Sequence, residues 1–176
     1  KLFERGEYAK SSESEAIAES ISKLLYPADD TNEGKALRIK QQYFFTSASL
    51  QQIVKNHYKT YGSLDNLADK VAIHINDTHP SMCIPELMRI LLDDYDYSWE
   101  KAWDITTKVF AYTNHTIMAE ALEKWSVDLF APILPRVFTI IREINNRFCQ
   151  HCNEIGASSD LESMSIIHNN MIRMAN

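Results

Sequence analysis

Residues 71–92, VAIHINDTHPSMCIPELMRILL, change from a strand pattern to a helix pattern across a short polar turn. β-branched residues alternate with small or polar ones over 71–75, which predicts a short strand. Asn76 and Asp77 end this strand, and Pro85 suits the first turn of the helix that follows. Because ligands bind at the carboxyl ends of strands in α/β sheets, the polar turn is the favoured position for a binding site.

A second segment repeats this arrangement. Residues 109–112 predict another short strand, which leads into the polar run 113–116 and then a helical pattern over 117–124. Parallel strands joined by a helical crossover present the same end at the same sheet edge. We therefore expect Asp77 to lie within hydrogen-bond reach of the His115 ring and to hold the imidazole in one tautomer.

Helical periodicity dominates the rest of the chain. Ser12 and Glu15 resemble a capping box that opens a helix over 12–25. A polar loop at 28–34 precedes the longest apolar stripe, over 35–61. Other caps, prolines and apolar series predict further helices beginning at Ser98, Trp125 and Pro135 and a last helical pattern over 166–174. The predicted fold class is α/β, helix-dominated, with about two short parallel strands and long helices.

The composition is typical of a globular domain: 176 residues, of which 45% are hydrophobic and 24% charged. A net charge of −6 argues against a nucleic-acid partner. No apolar run approaches the roughly 20 residues that a membrane span requires. Three cysteines suit a reducing compartment, and Cys149 and Cys152 are best interpreted as ordinary thiols at a helix end. We expect a cytoplasmic protein that binds neither nucleic acid nor membrane.

The residues of the two polar loops leave the reaction open. An Asp77–His115 pair is the orienting half of a catalytic triad, yet no nucleophile stands in a nucleophile-elbow context. His74 and His79 could join that pair as metal ligands, but the sequence has no His-Glu-x-x-His motif, so a metal hydrolase is only a third hypothesis. For glycoside hydrolysis, no spacing selects two carboxylates from the candidates Asp29, Asp30, Asp77, Glu120 and Glu123.

Several longer motifs stand in order along the chain: LLYP at 24–27 with NEGK at 32–35, INDTHP at 75–80, IPELMRI at 84–90, AYTNHT at 111–116, and EALE at 120–123 with WSVDL at 125–129. Together they resemble the α-glucan phosphorylases, the glycogen and maltodextrin phosphorylase family, from about Ser12 onward. The resemblance implies that 1–176 is one partial domain from the N-terminal half of a larger enzyme. That enzyme has two Rossmann-like domains of the glycosyltransferase-B type.

The resemblance also implies an activity: transfer of glucosyl units from α-1,4-glucan to inorganic phosphate, which yields glucose 1-phosphate. His115 would lie against the transferred glucosyl unit with Asp77 hydrogen-bonded to it, and Asn114 and Thr116 would shape the same wall. Pyridoxal phosphate would be held by a lysine of a domain absent here, so we expect no cofactor-binding and no metal-binding residue in this chain. The isolated chain should be inactive.

Two further segments take roles from the resemblance. Asp29 and Asp30 match a mobile gate loop at 28–34, and the helix at 12–25 matches a segment that packs between the subunits of a homodimer. The family includes allosteric enzymes, but this gate loop lacks the aromatic residues of regulated animal members, and Ala119 replaces a common proline. The alternative hypothesis is a free-standing carbohydrate-binding or helical scaffold module.

Overall fold

The computed structural model of the chain describes residues 3–24, 27–116, 118 and 122–175. The α-helices are α1 Tyr8–Lys23, α2 Asn32–Tyr61, α3 Leu67–Lys70, α4 Cys83–Arg89, α5 Trp99–Val109, α6 Val127–Ile133, α7 Pro135–Glu154 and α8 Leu161–Met164. A π-helical turn, Ile90–Asp94, continues α4, and single 3₁₀ turns occupy Phe3–Arg5 and Ser158–Asp160. The strands are β1 Ile73–Asn76, β2 Phe110–Thr113, β3 Lys124–Ser126, β4 Ile167–His168 and β5 Met171–Arg173. The fold is therefore helix-dominated α/β, as predicted.

The two predicted strands are present and pair in parallel. Ile73 lies opposite Phe110 and Asn76 lies opposite Thr113, so both strands end at one edge of the sheet. Each strand begins one or two residues later than the sequence pattern indicates. The connection between them runs through α4 and α5, which is the helical crossover that parallel pairing requires.

The prediction of a helix over 166–174 is wrong. This segment forms the antiparallel pair β4 and β5, with β3 added at the other side of β5. Asn169 and Asn170 have positive φ angles of 47° and 59°, which suit the tight two-residue turn of a hairpin. Ile172 is buried in the core beneath this sheet, so the apolar residues that suggested a helix alternate between the faces of strands.

The predicted helix over 117–124 is also corrected where it can be compared. Residues 117 and 119–121 lie outside the described part of the chain, and Lys124 already belongs to β3. Trp125, expected to begin a helix, is in the same strand, and Ser126 then caps α6 by accepting the backbone N–H of Leu129 at 3.3 Å.

Helix α1 begins before its expected start. Ser12 lies inside the helix, and the residue at the N-cap, Glu7, makes no side-chain capping hydrogen bond, so the predicted capping box is wrong. No α1 residue is buried, although the helix packs along α2. The buried side chain of Gln41 donates a hydrogen bond to the carbonyl of Leu24 and so anchors the end of α1. Residue 25, the last of the predicted helix, is outside the described residues.

Helix α2 connects the two apolar clusters of the molecule. Thr31 caps its start by accepting the backbone N–H of Gly34 at 3.1 Å, so the predicted loop 28–34 is reduced to 28–31. Leu50 packs in a cluster with β1, α4 and α5, and Ile39 packs in a second cluster with α6, α7 and β5. No helix among the described residues is long and apolar enough to cross a membrane.

A fully buried carboxylate joins α4 to α2. Glu86 has no exposed surface and accepts hydrogen bonds from the Tyr43 hydroxyl at 2.8 Å, the Ser47 hydroxyl at 2.7 Å and the Arg89 Nε at 2.9 Å. Burial raises the pKa of Tyr43, and the hydrogen bond to Glu86 raises it further. A buried charge needs such partners, because an unpaired carboxylate in the core is strongly destabilising. This network fixes the helix that follows the polar turn.

Candidate functional site

The polar turn after β1 and the loop after β2 meet at the carboxyl edge of the parallel sheet. The backbone N–H of Asp77 donates to the carbonyl of Thr113 at 2.9 Å, which extends the strand pairing by one bond. Asp77 then adopts φ +61°, a left-handed conformation that is uncommon outside glycine. This turn directs its carboxylate to the neighbouring loop, where Oδ1 accepts the backbone N–H of His115 at 3.2 Å.

The predicted contact between the Asp77 carboxylate and the His115 ring is therefore corrected to a contact with the His115 backbone. The two residues come together as expected, because the parallel strands end side by side. His115 itself is exposed, and its ring takes part in none of the hydrogen bonds formed among the described residues. The carboxylate thus positions the loop through its backbone.

The loop of residues 113–116, which we call the histidine loop, is also held by its own side chains. Asn114 donates from Nδ2 to the carbonyl of Thr116 at 2.8 Å, and the Thr116 hydroxyl accepts the backbone N–H of Met118 at 3.2 Å. Both side chains are partly buried. Asn114 and Thr116 therefore determine the shape of the loop from which the His115 ring projects.

Glu123 gathers three donors from two other parts of the fold. Its carboxylate accepts Arg38 Nη2 at 2.7 Å, Gln42 Nε2 at 3.0 Å and the Thr78 hydroxyl at 3.1 Å. The Glu123 side chain is 14% exposed and Thr78 is buried, so these bonds are largely shielded from water. Glu123 thereby joins α2 to the turn that carries Asp77.

The two aspartates of the predicted gate loop are both exposed. Asp29 pairs with Arg38 Nη1 at 2.8 Å. Arg38 also lines a cavity of about 190 Å³, whose other walls are residues of α2 together with His79 and Pro80. The sequence-predicted residues thus form two groups, the histidine loop with Asp77 and the Asp29 segment, and Arg38 with Glu123 lies between them.

Arg38 and Gln42 are the site residues that sequence reasoning missed. They lie four residues apart on α2 and so share one helix face beside the buried Ile39. A polar pair flanking an apolar stripe was the available signal, but the partner of that pair, Glu123, is 85 residues from Arg38 along the chain. Only the packing of the loops brings these side chains together.

The histidine and cysteines considered for metal and thiol chemistry lie on different elements: His74 on β1, Cys83 on α4, and Cys149 and Cys152 on α7. Among the described residues, no three His, Cys, Asp or Glu side chains come together as a metal site would need. His74 is instead hydrogen-bonded to the Thr113 hydroxyl at 2.6 Å. The cysteines are free, and burial raises the pKa of Cys83 to about 12, which keeps that thiol protonated and unreactive at neutral pH. The arrangement of imidazole, hydroxyl and amide groups suits hydrogen bonding to a polyhydroxylated ligand.

Comparison with known proteins assigns the family. The family model described as carbohydrate phosphorylase matches residues 1–176. The chain is 54% identical over 159 residues to the glycogen phosphorylase of Bacillus subtilis (strain 168), covering 89% of this chain and 20% of that protein. It is 46% identical over 179 residues to the glycogen phosphorylase of Chlamydia pneumoniae, covering 99% of this chain and 22% of that protein.

A plant relative agrees with the bacterial ones. The chain is 45% identical over 185 residues to alpha-glucan phosphorylase 2, cytosolic, of Arabidopsis thaliana, covering 99% of this chain and 22% of that protein. The chain thus spans about a fifth of the length of the curated relatives it matches. Since the family model covers the whole sequence and the motifs around Asp77 and His115 lie within it, the chain belongs to the carbohydrate phosphorylase family.

Proposed function

We propose that this chain supplies part of the glucosyl-binding wall of an enzyme that phosphorolyses α-1,4-glucan to glucose 1-phosphate. The observation that carries the proposal is the exposed His115 ring on a loop fixed by the Asp77 carboxylate. A preorganised donor or acceptor at a strand end can tighten its hydrogen bond to the sugar as the glycosidic bond breaks. The named relatives, which are glycogen and α-glucan phosphorylases, support the choice of substrate.

Each site residue then has a separate task. His115 hydrogen-bonds the glucosyl unit that is transferred, and it is the candidate catalytic residue. Asp77 acts on the sugar indirectly, because its carboxylate holds the His115 backbone. Asn114 and Thr116 form the wall through the bonds that shape the histidine loop. Asp29 and Asp30 border the same site from the 28–31 segment.

Pyridoxal phosphate is the cofactor that the family implies, and its phosphate needs cationic side chains or free backbone N–H groups. Arg38 is the cation bound to the carboxylates Asp29 and Glu123, and its guanidinium is already paired with both. These residues do not fit a cofactor phosphate. We propose that another part of the full-length enzyme holds the cofactor.

The remaining proposals concern partners and location. The substrates would be α-1,4-glucan and inorganic phosphate. We propose that α1, which has no buried residue and leaves Ile17 48% exposed, contacts a second subunit in a homodimer. We propose a cytoplasmic location, which the name of the cytosolic Arabidopsis relative supports. Allosteric control would act through the 28–31 segment.

The test is kinetic and uses a full-length phosphorylase that carries this segment. His115→Ala should lower kcat by about a hundredfold while the KM for glucan changes little, since remote glucan contacts are untouched. His151→Ala is the matched control, because His151 is also exposed but lies near the end of α7. Unchanged kcat in His115→Ala would contradict the role of the ring, and a wild-type protein that releases no glucose 1-phosphate would contradict the activity.

A further inference from the structure

We propose that His74 is a positioning residue for the histidine loop, because its ring is hydrogen-bonded to the hydroxyl of Thr113, the residue at which the loop begins. The kinetic part of this inference rests on the proposed function. The structural part rests on the side-chain and backbone bonds that join Thr113 to β1 and to the turn after it.

The first step is that His74 and Thr113 share one face of the parallel sheet. His74 lies opposite Ala111 in the strand register, and Thr113 is two residues farther along β2. Side chains two residues apart in a strand point to the same face. The imidazole therefore reaches along the strand direction from its own register position, and its Nε2 lies 2.6 Å from the Thr113 hydroxyl oxygen.

The second step is that this bond adds a side-chain attachment to a residue already held by its main chain. The Thr113 carbonyl accepts the Asp77 backbone N–H at 2.9 Å, and Thr113 is paired with Asn76 in the register. A threonine side chain has few χ1 rotamers, and the allowed rotamer depends on the backbone φ and ψ angles. A fixed hydroxyl therefore restricts the backbone angles at which the histidine loop leaves β2.

The third step leads from Thr113 to the candidate catalytic ring. His115 is two residues beyond Thr113, and its backbone N–H donates to Asp77 Oδ1 through a longer bond of 3.2 Å. A change in the Thr113 backbone angles displaces the residues that follow it, and a displacement of about 1 Å is enough to weaken a catalytic contact. Loss of the bond to His74 should therefore widen the range of positions that the His115 ring occupies.

The substitution His74→Gln separates positioning from a direct role of the exposed imidazole. A glutamine amide can donate or accept a hydrogen bond, so it can replace the contact with Thr113 whichever tautomer the imidazole has. It cannot exchange a proton near neutral pH as an imidazole does. If His74 acts through Thr113, His74→Gln should restore the function that His74→Ala loses.

The kinetic test uses a full-length phosphorylase that carries this segment. His74→Ala and Thr113→Val should each lower kcat by about three- to tenfold, the range expected for one lost hydrogen bond, with little change in the KM for glucan. His74→Gln and Thr113→Ser keep a hydrogen-bonding group and should stay within about twofold of wild type. The double variant of His74→Ala and Thr113→Val should be no lower than the weaker single variant, because both remove the same bond.

A second readout does not depend on activity. Amide hydrogen exchange of the peptide that spans 113–116 should be faster in His74→Ala than in wild type and should return to the wild-type rate in His74→Gln. Thr107→Val is the matched control, because the exposed Thr107 hydroxyl bonds to the Trp103 carbonyl of its own helix at 3.0 Å. That control should change neither kcat nor the exchange of the histidine loop. Melting temperatures should stay close to wild type, since the His74 side chain is exposed.

The outcomes separate this positioning role from the proposed function. If His74→Gln loses as much kcat as His74→Ala, the imidazole acts by itself and the positioning role is overturned. Losses that multiply in the double variant, or unchanged exchange at 113–116 in His74→Ala, would overturn it as well. A wild-type protein without phosphorolytic activity but with faster exchange in His74→Ala would contradict the proposed function and leave the attachment of the loop to His74 supported.

Discussion

The Asp77 carboxylate accepts the backbone N–H of His115 at 3.2 Å, and the Asp77 backbone N–H donates to Thr113 at 2.9 Å. Asp77 therefore makes two hydrogen bonds to the segment 113–115, one through its backbone N–H and one through its carboxylate. This double contact fixes the direction in which the histidine loop leaves β2. The His115 imidazole is exposed, and its position depends on the backbone bond.

The geometry predicts a small loss for one substitution of Asp77 and a larger loss for another. Asp77→Asn keeps an acceptor oxygen and tolerates φ +61°, so kcat should fall by no more than about fivefold, which corresponds to the loss of about 1 kcal/mol. Asp77→Ala loses the acceptor and is strained at this φ, at a combined cost of about 2 to 4 kcal/mol. Steady-state kinetics of both variants in a full-length phosphorylase would test this. An equal loss of kcat in both would point to the charge instead.

Gly34→Ala should displace the 28–31 segment. The added methyl group would overlap the Ala28 carbonyl, and backbone rather than a flexible side chain would have to move. Limited proteolysis within 28–31 should become faster in this variant. Gly62→Ala is the control, because nothing lies within 4 Å of its Cβ position and its φ of +71° brings only about 1 kcal/mol of strain. Equal cleavage rates in the two variants would contradict the close packing.

Glu86→Ala should be strongly destabilising because it leaves Arg89, Tyr43 and Ser47 without their shared buried acceptor. Breaking a buried ion pair costs about 3 to 5 kcal/mol. Glu143→Ala is the matched control, since the pair of Glu143 with Arg147 is exposed and contributes about 0.2 to 1 kcal/mol. Thermal unfolding would measure both variants. Similar melting temperatures for the two would refute the importance of the Glu86 network.

The Asp93–Arg136 pair should give a small acid-dependent contribution to stability. The hydrogen bond from Arg136 holds the pKa of Asp93 below its usual range, against the opposing effect of burial. A carboxyl whose folded pKa is lowered stabilises the fold above its ordinary pKa of about 3.9, and this contribution is lost as the pH falls through the lowered value. The melting temperature of Arg136→Gln should therefore lie below wild type at pH 7. The gap should begin to close below about pH 4 and vanish once the pH is below the lowered pKa of Asp93. A gap that persists at that lower pH would contradict the charge-based origin.

Local patterns in the sequence determined the elements that depend on neighbours along the chain. The β-branched alternation near residue 73 marks β1, and Ser98 caps α5 by accepting the backbone N–H of Lys101, as its position predicted. Pro135 begins α7, where its missing N–H has no cost. Parallel pairing followed from the crossover length, so the sequence was enough to predict that the Asp77 turn meets the histidine loop.

Long-range packing decided the rest. The apolar run near Ile172 has the composition of either a helix or a strand, and only pairing of β5 with β3 selected the strand. The sequence also could not predict which atoms form hydrogen bonds across the site, because a carboxylate can accept from a ring N–H or from a backbone N–H. The sequence brought Asp77 and His115 to one sheet edge. The left-handed turn at Asp77 and the contact of Arg38 with Glu123, which depend on residues far apart in the chain, determined which groups bind each other.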